Sequence, residues 1–477
     1  MTDITEPDVG EVLTDHVIGF PVDGLPAATT TRAKLVVLDT LGAALAAVEA
    51  DGVRELRGVV RRWGGAPEAG LIGADDRLPA PMAALVNATM ARALELDDVH
   101  EVGLTHATST MVPVALAVAD ARPATTGQEL LTAIALGIDA GVRLSMAPIT
   151  DLGGASYVPR SMSRTYQTGV LAGSLVAARL AGLTGDVAHD VFGNAYNQCF
   201  GNLQGMAEGV LSVRVGQGVS AQLAIQAMEL GAAGISGGRQ SLEGKYGWFQ
   251  AFWGGRFDTK PLIDGLGERF EVDQVSIKPY ACCKYAHTGI AAALEIRDED
   301  GFNVDAIERV RVRVFSPDCW DMLCEPLSLK TSPEALAGSN GWSLAQFSFP
   351  YTIACALVRG GLTITDLTDD VRTDPKVLAV LSKVEMVMVD TTRGLADLPE
   401  PGHVEVDLTG GRCIEATVRR AIGHPDRPMT VDDQIEKFRW CAEALPADRV
   451  AAIIEATLQL DSLSRASELT DLLYGAA

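Results

Sequence analysis

The sequence predicts a mainly α fold in which a large all-helical domain carries an inserted, smaller α+β domain. Three observations lead there. Residues 27–262 read as Ala-rich amphipathic segments such as TRAKLVVLDTLGAALAAVEA, MAALVNATMARALEL and QELLTAIALGIDAGVRLSMA, with apolar residues every three or four positions. After Asp264 the period changes, and IERVRVRVFS, KVEMVMVD, HVEVDLTG and RCIEATVRR alternate apolar and polar residues as half-buried strands do. Past residue 422 the helical period returns in VDDQIEKFRWCAEAL and ADRVAAIIEATLQL. The helical domain is therefore placed at 1–272 plus 423–477 and the α+β domain at 273–422.

Each element has a local reason. Gly, Pro or Asp separates the helical segments, and their many small residues predict backbones in close approach, a tight bundle with only 5% aromatic residues. The turn-rich GLGERFEVDQVSIKPY forms the junction, followed by a helix over 284–299. The first and second strands are separated by the helical stretch FSFPYTIACALVRGG, and Gly410 and Gly411 supply a hairpin turn between the third and fourth.

The chain has 477 residues, 47% of them apolar, enough for a large core. Its 39 Lys and Arg against 62 Asp and Glu give a formal charge of −23, a field that repels phosphate backbones and anionic lipid heads. Nucleic acid and membrane surfaces are thus not expected partners. The acidic start MTDITEPDVGEVLTDH lacks a basic n-region and an apolar run, so a cytoplasmic location is expected. Eight cysteines, with only Cys282 and Cys283 close together, make neither a disulfide framework nor a zinc template.

Two stretches concentrate chemistry. ELDDVHEVGLTH places Asp97, Asp98 and His100 just past a helix end and His106 at the start of the next. Carboxylates beside imidazoles can hold or move a proton near neutral pH, whereas the spacing fits no metal template. Helix capping is the structural alternative. In IKPYACCKYAHTGI, Pro279 keeps Lys278 extended, the two cysteines read as packing residues, and His287 falls on a helix. VLSVRVGQGVSA imitates a dinucleotide fingerprint, but no second βαβ unit follows it.

The phrases ELDDVHEVGLTHATSTMVPVALA, GRQSLEGKYGWF, SIKPYACCKYAHTGIAAALE, AQFSFPYTIACAL and KFRWCAE, in this order, resemble the MmgE/PrpD family, which includes 2-methylcitrate dehydratase, cis-aconitate decarboxylase and iminodisuccinate epimerase. The resemblance spans nearly the whole chain. It implies an all-helical domain with an α+β lid, a homodimer, no cofactor and no metal, and a small di- or tricarboxylate as substrate. It also implies that His106, Lys278 and Tyr351 lie in the active site, with Glu95 to Asp98 matching the family's acidic residues. Asp98 and His100 are expected to orient or assist His106. Lys278, Arg164 and Arg214 are expected to bind carboxylates, with Glu95, Arg160, Lys284 and His287 also lining the substrate site. Well-known dehydratases and decarboxylases of the family carry a histidine near the position of Ser163 and a Lys-His pair near Val213 and Arg214; this chain lacks both. Dehydration, epimerisation and decarboxylation therefore stay open, as does a catalytically silent carboxylate-binding protein.

Overall fold

The computed structural model describes residues 7–149, 162–389 and 401–475. The first helices are α1 (Val9–Gly19), α2 (Ala27–Ala46), α3 (Val53–Trp63), α4 (Ala80–Ala93), α5 (Thr108–Asp120), α6 (Gly127–Met146), α7 (Arg164–Leu180) and α8 (Gly185–Tyr196). A short α9 (Gln204–Glu208) and the long α10 (Ser212–Ala232) follow. In α4 and α5 nearly every residue is buried, the mark of helices at the centre of a bundle. Helix α4 packs on α2, α5 and α10, and α7 packs on α5, α6, α8 and α10. In the stretch that imitates a dinucleotide motif, Ser212 to Ala221, including all of GQGVSA, lie inside α10. One small antiparallel pair, β1 (Ala69–Gly70) and β2 (Arg77–Leu78), interrupts the helices.

All four alternating segments form strands: β3 (Ile307–Val314), β4 (Val384–Met388), β5 (Gly402–Leu408) and β6 (Arg412–Val418), in the order β4-β3-β5-β6. Strands β5 and β6 make the expected hairpin, with Gly410 and Gly411 at φ +91° and +81°, a conformation glycine adopts without a Cβ penalty. Strand β3 runs parallel to β4, which demands a long crossover. The sequence reading put one helix there, Phe349–Arg359, but the crossover also contains the short helices Pro317–Leu323, Leu327–Lys330, Pro333–Ala337, Gly341–Gln346, Asp369–Arg372 and Pro375–Leu381. Four to seven residues are too few to display a 3.6-residue period, so these escape a pattern-based reading. Helix His287–Arg297 packs on β5 and β6, and Phe349–Arg359 packs on it in turn. Helices Val431–Cys441 and Ala447–Leu458 return to α2. Among the described residues no helix is long and apolar enough to cross a membrane.

The close approach read from small residues decides where α10 sits. A Cβ on Gly218 would stand 2.2 Å from the Leu85 carbonyl oxygen and from Thr89 Oγ1, so the α4–α10 contact is closed to any larger residue. These two helices carry Arg92 and Arg214 into the site described below. Gly218→Ala gains about 1 kcal/mol of helix propensity but must push a backbone carbonyl aside, an overpacking cost of about 3 kcal/mol. The expected result is a net loss of about 2 kcal/mol in urea denaturation; a variant as stable as the parent would contradict this packing.

Candidate active site

The site begins where α4 ends. Glu95 takes φ +54°, a left-handed conformation uncommon outside glycine, and this turns the chain sharply after the helix. Val99 and Ser276 then exchange backbone hydrogen bonds of 3.0 and 2.8 Å, laying the segment that holds Lys278 beside residues 95–99. Lys437, from the KFRW phrase, donates to the Leu96 carbonyl at 2.8 Å and pairs with Asp39 Oδ1 at 2.6 Å, pinning the same loop from behind.

Four buried charges meet there. Arg92 Nη1 bonds Glu95 Oε1 and lies 3.3 Å from Asp97 Oδ1. Lys278 Nζ donates to Glu95 Oε2 at 2.9 Å and lies 3.5 Å from Asp97 Oδ1. Two cations and two carboxylates cancel. Burial alone would raise both carboxyls, but Arg92 and Lys278 outweigh it and hold Glu95 and Asp97 below the usual carboxylate range. Burial alone would lower Lys278, but Glu95 and Asp97 outweigh it and raise its pKa, so it stays an ammonium.

His106 sits against this cluster. Its Nδ1 lies 2.6 Å from the Asp98 carbonyl oxygen, which can only accept, so Nδ1 carries the proton and Nε2 the lone pair. Asp97 Oδ2, 3.1 Å from Nδ1, makes a charge contact with the same edge. Burial and then Arg92 lower the His106 pKa against the opposing pull of Asp97, which leaves a neutral imidazole at pH 7. Side-chain exposure is 17% for His106 and 0 to 4% for the four cluster residues, so the imidazole is the most exposed group of the cluster. The Asp98 carboxyl is fully buried, accepts a hydrogen bond from Thr108, and is pushed up to about 8 by burial and by Asp97. It is predominantly protonated at neutral pH.

The other expected residues divide. Arg214 is buried; Nη1 donates to the Asp51 carbonyl at 2.6 Å, Nη2 to Gln346 Oε1 at 3.3 Å, and its charge reaches Glu95 and Arg92. Arg164 opens α7, stacks over Trp253 at 5.5 Å and donates to the Ser145 carbonyl. Lys284 lies 3.3 Å from Glu101. Arg160 lies outside the described residues.

Four of the expected residues have their polar atoms engaged within the protein. Lys278 is not a free cation, because Glu95 and Asp97 already occupy it, and its raised pKa removes it as a base. His100 turns away from His106: its Nδ1 accepts from the Gly103 N–H and its Nε2 lies 3.4 Å from Glu271, beside a cavity of about 160 Å³. Tyr351 is fully buried with its hydroxyl donated to the Asp366 carbonyl at 2.7 Å, which is how a core tyrosine satisfies itself. His287 opens its helix in full burial, Nε2 3.3 Å from the Cys282 carbonyl, and its pKa lies well below the usual value through burial and Lys284.

Sequence reading missed Arg92, Asp97 as the shared carboxylate, and Thr108. Arg92 stands three residues before Glu95, an ion-pair spacing, but inside an apolar helical run an arginine reads as the solvated face. Burial raises the Cys282 and Cys283 thiols, the latter to about 11, so both remain protonated packing groups. Among the described residues, the histidine and acid side chains close enough to share an ion are His403, Glu405 and Glu415 on β5 and β6, where Glu405 is already paired with Arg311 and Arg313.

A free substrate-binding lysine could be deleted without loss of fold. Lys278 cannot, since Lys278→Ala leaves two buried carboxylates facing a single guanidinium. The expected loss is about 3–5 kcal/mol of stability, read from urea denaturation monitored by circular dichroism; wild-type stability would contradict the buried pairing.

Residues 11–260 match the MmgE/PrpD N-terminal domain and residues 280–461 the MmgE/PrpD C-terminal domain. A cis-aconitate decarboxylase-like protein, oryM, of Aspergillus oryzae is 24% identical over 507 residues, covering 100% of this chain and 99% of the relative. A cis-aconitate decarboxylase of Aspergillus terreus is 24% identical over 469 residues, covering 94% and 93%. With both domains matched across most of its length, the chain belongs to the MmgE/PrpD family.

Proposed function

We propose that this protein is a lyase acting on a small hydroxy di- or tricarboxylate, with neutral His106 taking the proton α to a carboxylate through Nε2 and hydroxide leaving the neighbouring carbon. The observation that carries this reading is the fixed imidazole. A carbonyl acceptor at Nδ1 leaves Nε2 as a lone-pair donor, and the lowered pKa keeps it so at neutral pH. Asp97 then stabilises the imidazolium that forms, 3.1 Å from Nδ1. Arg164, Arg214 and Lys284 are the cations we assign to substrate carboxylates, a role that guanidinium groups fill by two-point hydrogen bonding. Lys278 holds the electrostatic frame around the base. In this reading the α+β part closes over the helical part as a lid, the protein is a cytoplasmic homodimer, and no cofactor takes part.

Decarboxylation is the second reading, favoured by the names of the two Aspergillus relatives. The imidazole argues for abstraction first, because an Nε2 without a proton cannot protonate the carbanion that loss of CO2 leaves. The reaction is resolved by incubating the protein with 2-methylcitrate, citrate and cis-aconitate in deuterated water under NMR. Dehydration yields an alkene from a hydroxy acid, and His106→Gln is expected to slow it at least 100-fold, the usual contribution of a general base. Deuterium at the α-carbon without a double bond would replace dehydration by epimerisation. CO2 release from cis-aconitate alone would replace it by decarboxylation, and an unaffected His106→Gln would remove His106 as the base.

A further inference from the structure

The turn between Asp98 and His106 is closed from within by a side chain that the proposed reaction leaves idle. The His100 N–H donates to the Thr105 carbonyl at 2.9 Å and the Thr105 N–H to the His100 carbonyl at 3.4 Å, so the chain doubles back just before His106. Leu104 takes φ +50°, an uncommon conformation for a residue with a side chain, and the turn needs contacts that hold it. Nδ1 of the buried His100 supplies one by accepting from the Gly103 N–H at 2.9 Å, and Ser145 on α6 supplies another by donating to the Gly103 carbonyl.

A nitrogen that accepts carries no proton, so His100 holds its proton on Nε2, the reverse of His106. Nε2 lies 3.4 Å from Glu271 Oε2. Burial raises the Glu271 carboxyl, but His100 and Arg269 outweigh it and hold it below the usual carboxylate range. An ionised carboxylate only accepts, which favours the proton on Nε2 and leaves the lone pair on Nδ1 for Gly103. Glu271 is anchored to the bundle in turn, since its backbone N–H donates to Asp139 Oδ1 at 2.8 Å and Asp139 Oδ2 accepts from Arg143 Nε at 2.8 Å.

Two acceptors compete for the proton on His106 Nδ1: the Asp98 carbonyl at 2.6 Å and Asp97 Oδ2 at 3.1 Å. A neutral carbonyl leaves the ring neutral, whereas a carboxylate draws it toward imidazolium, which has no lone pair. The bridge between Val99 and Ser276 anchors the Asp98 peptide, and the turn sets where His106 stands against it. We propose that His100 and Glu271 are positioning residues for His106, keeping the 100–105 turn closed so that the Asp98 carbonyl, and not the Asp97 carboxylate, is the nearer partner of Nδ1. Neither side chain touches His106. The role rests on His106 as the base and adds the contacts that keep its lone pair on Nε2.

The test follows the His106 ring nitrogens by nitrogen-15 NMR of histidine-labelled full-length protein as pH is varied, beside kcat and KM for whichever of 2-methylcitrate, citrate and cis-aconitate is turned over. The charges facing His106 are Asp97, Arg92 and Lys278, and none of them is altered. In His100→Leu the turn loses its acceptor, so His106 should titrate at higher pH than in wild type, the acid limb of kcat/KM should move up with it, and kcat at neutral pH should fall about tenfold with KM little changed. His100→Asn puts an oxygen in place of Nδ1 and should restore the wild-type titration. Glu271→Gln keeps the shape but can also donate to Nε2, which frees the His100 tautomer and should give the same shift to a smaller extent. A His106 titration identical to wild type in folded His100→Leu, or in Glu271→Gln should the leucine variant fail to fold, overturns the proposal. A shift in His100→Leu alone removes Glu271 from it. Displaced His106 signals together with an unaffected His106→Gln would keep the positioning role and discard His106 as the base.

Discussion

The balance of charge among Arg92, Glu95, Asp97 and Lys278 is the constraint on which the rest of the site depends. Each carboxylate is shared by both cations, so no member can leave without stranding a buried charge. The cluster also joins distant parts of the chain. Arg92 comes from the central helix of the bundle, Glu95 and Asp97 from the loop after it, and Lys278 from the segment that leads to the sheet. Because that segment bonds to Val99, Gly423, Leu362 and Gln346 within eight residues, an ion cluster within it fixes several loops at once.

The same balance sets the state of the imidazole. Two cations near His106 oppose its protonation and Asp97 favours it, so burial decides, and it decides for the neutral form. The Asp98 backbone then chooses the tautomer while its carboxyl, held protonated, adds no charge. A single dipeptide, Asp97-Asp98, thereby supplies one ionised and one neutral carboxyl. Their difference comes from partners: Asp97 faces two cations, whereas Asp98 faces Asp97 and a hydroxyl.

Much of the fold was legible. Helical and two-residue periods separate the two parts of the chain, and the four alternating segments became the four strands of one sheet. What remained hidden was short or buried. The small helices of the β3–β4 crossover carry too few residues for a period, and Arg92, Lys330 and Arg214 are cations inside the protein, where pattern reading expects none. The site phrase around residues 95–106 was visible, but its wiring was not. Sequence spacing cannot tell that His106 meets the backbone of Asp98 rather than its carboxyl, or that His100, six residues earlier, turns to Glu271. Lys278 was found for its charge, and only the bridge between Val99 and Ser276 reveals that the charge is already matched.

The claim that this cluster holds a neutral, Nδ1-protonated His106 is open to direct observation. Nitrogen-15 NMR of protein labelled in histidine, with His106 assigned by its loss in His106→Gln, reports the protonation of each ring nitrogen at neutral pH. The account predicts a protonated Nδ1 and an unprotonated Nε2. A proton on Nε2 alone, or on both nitrogens, would contradict it.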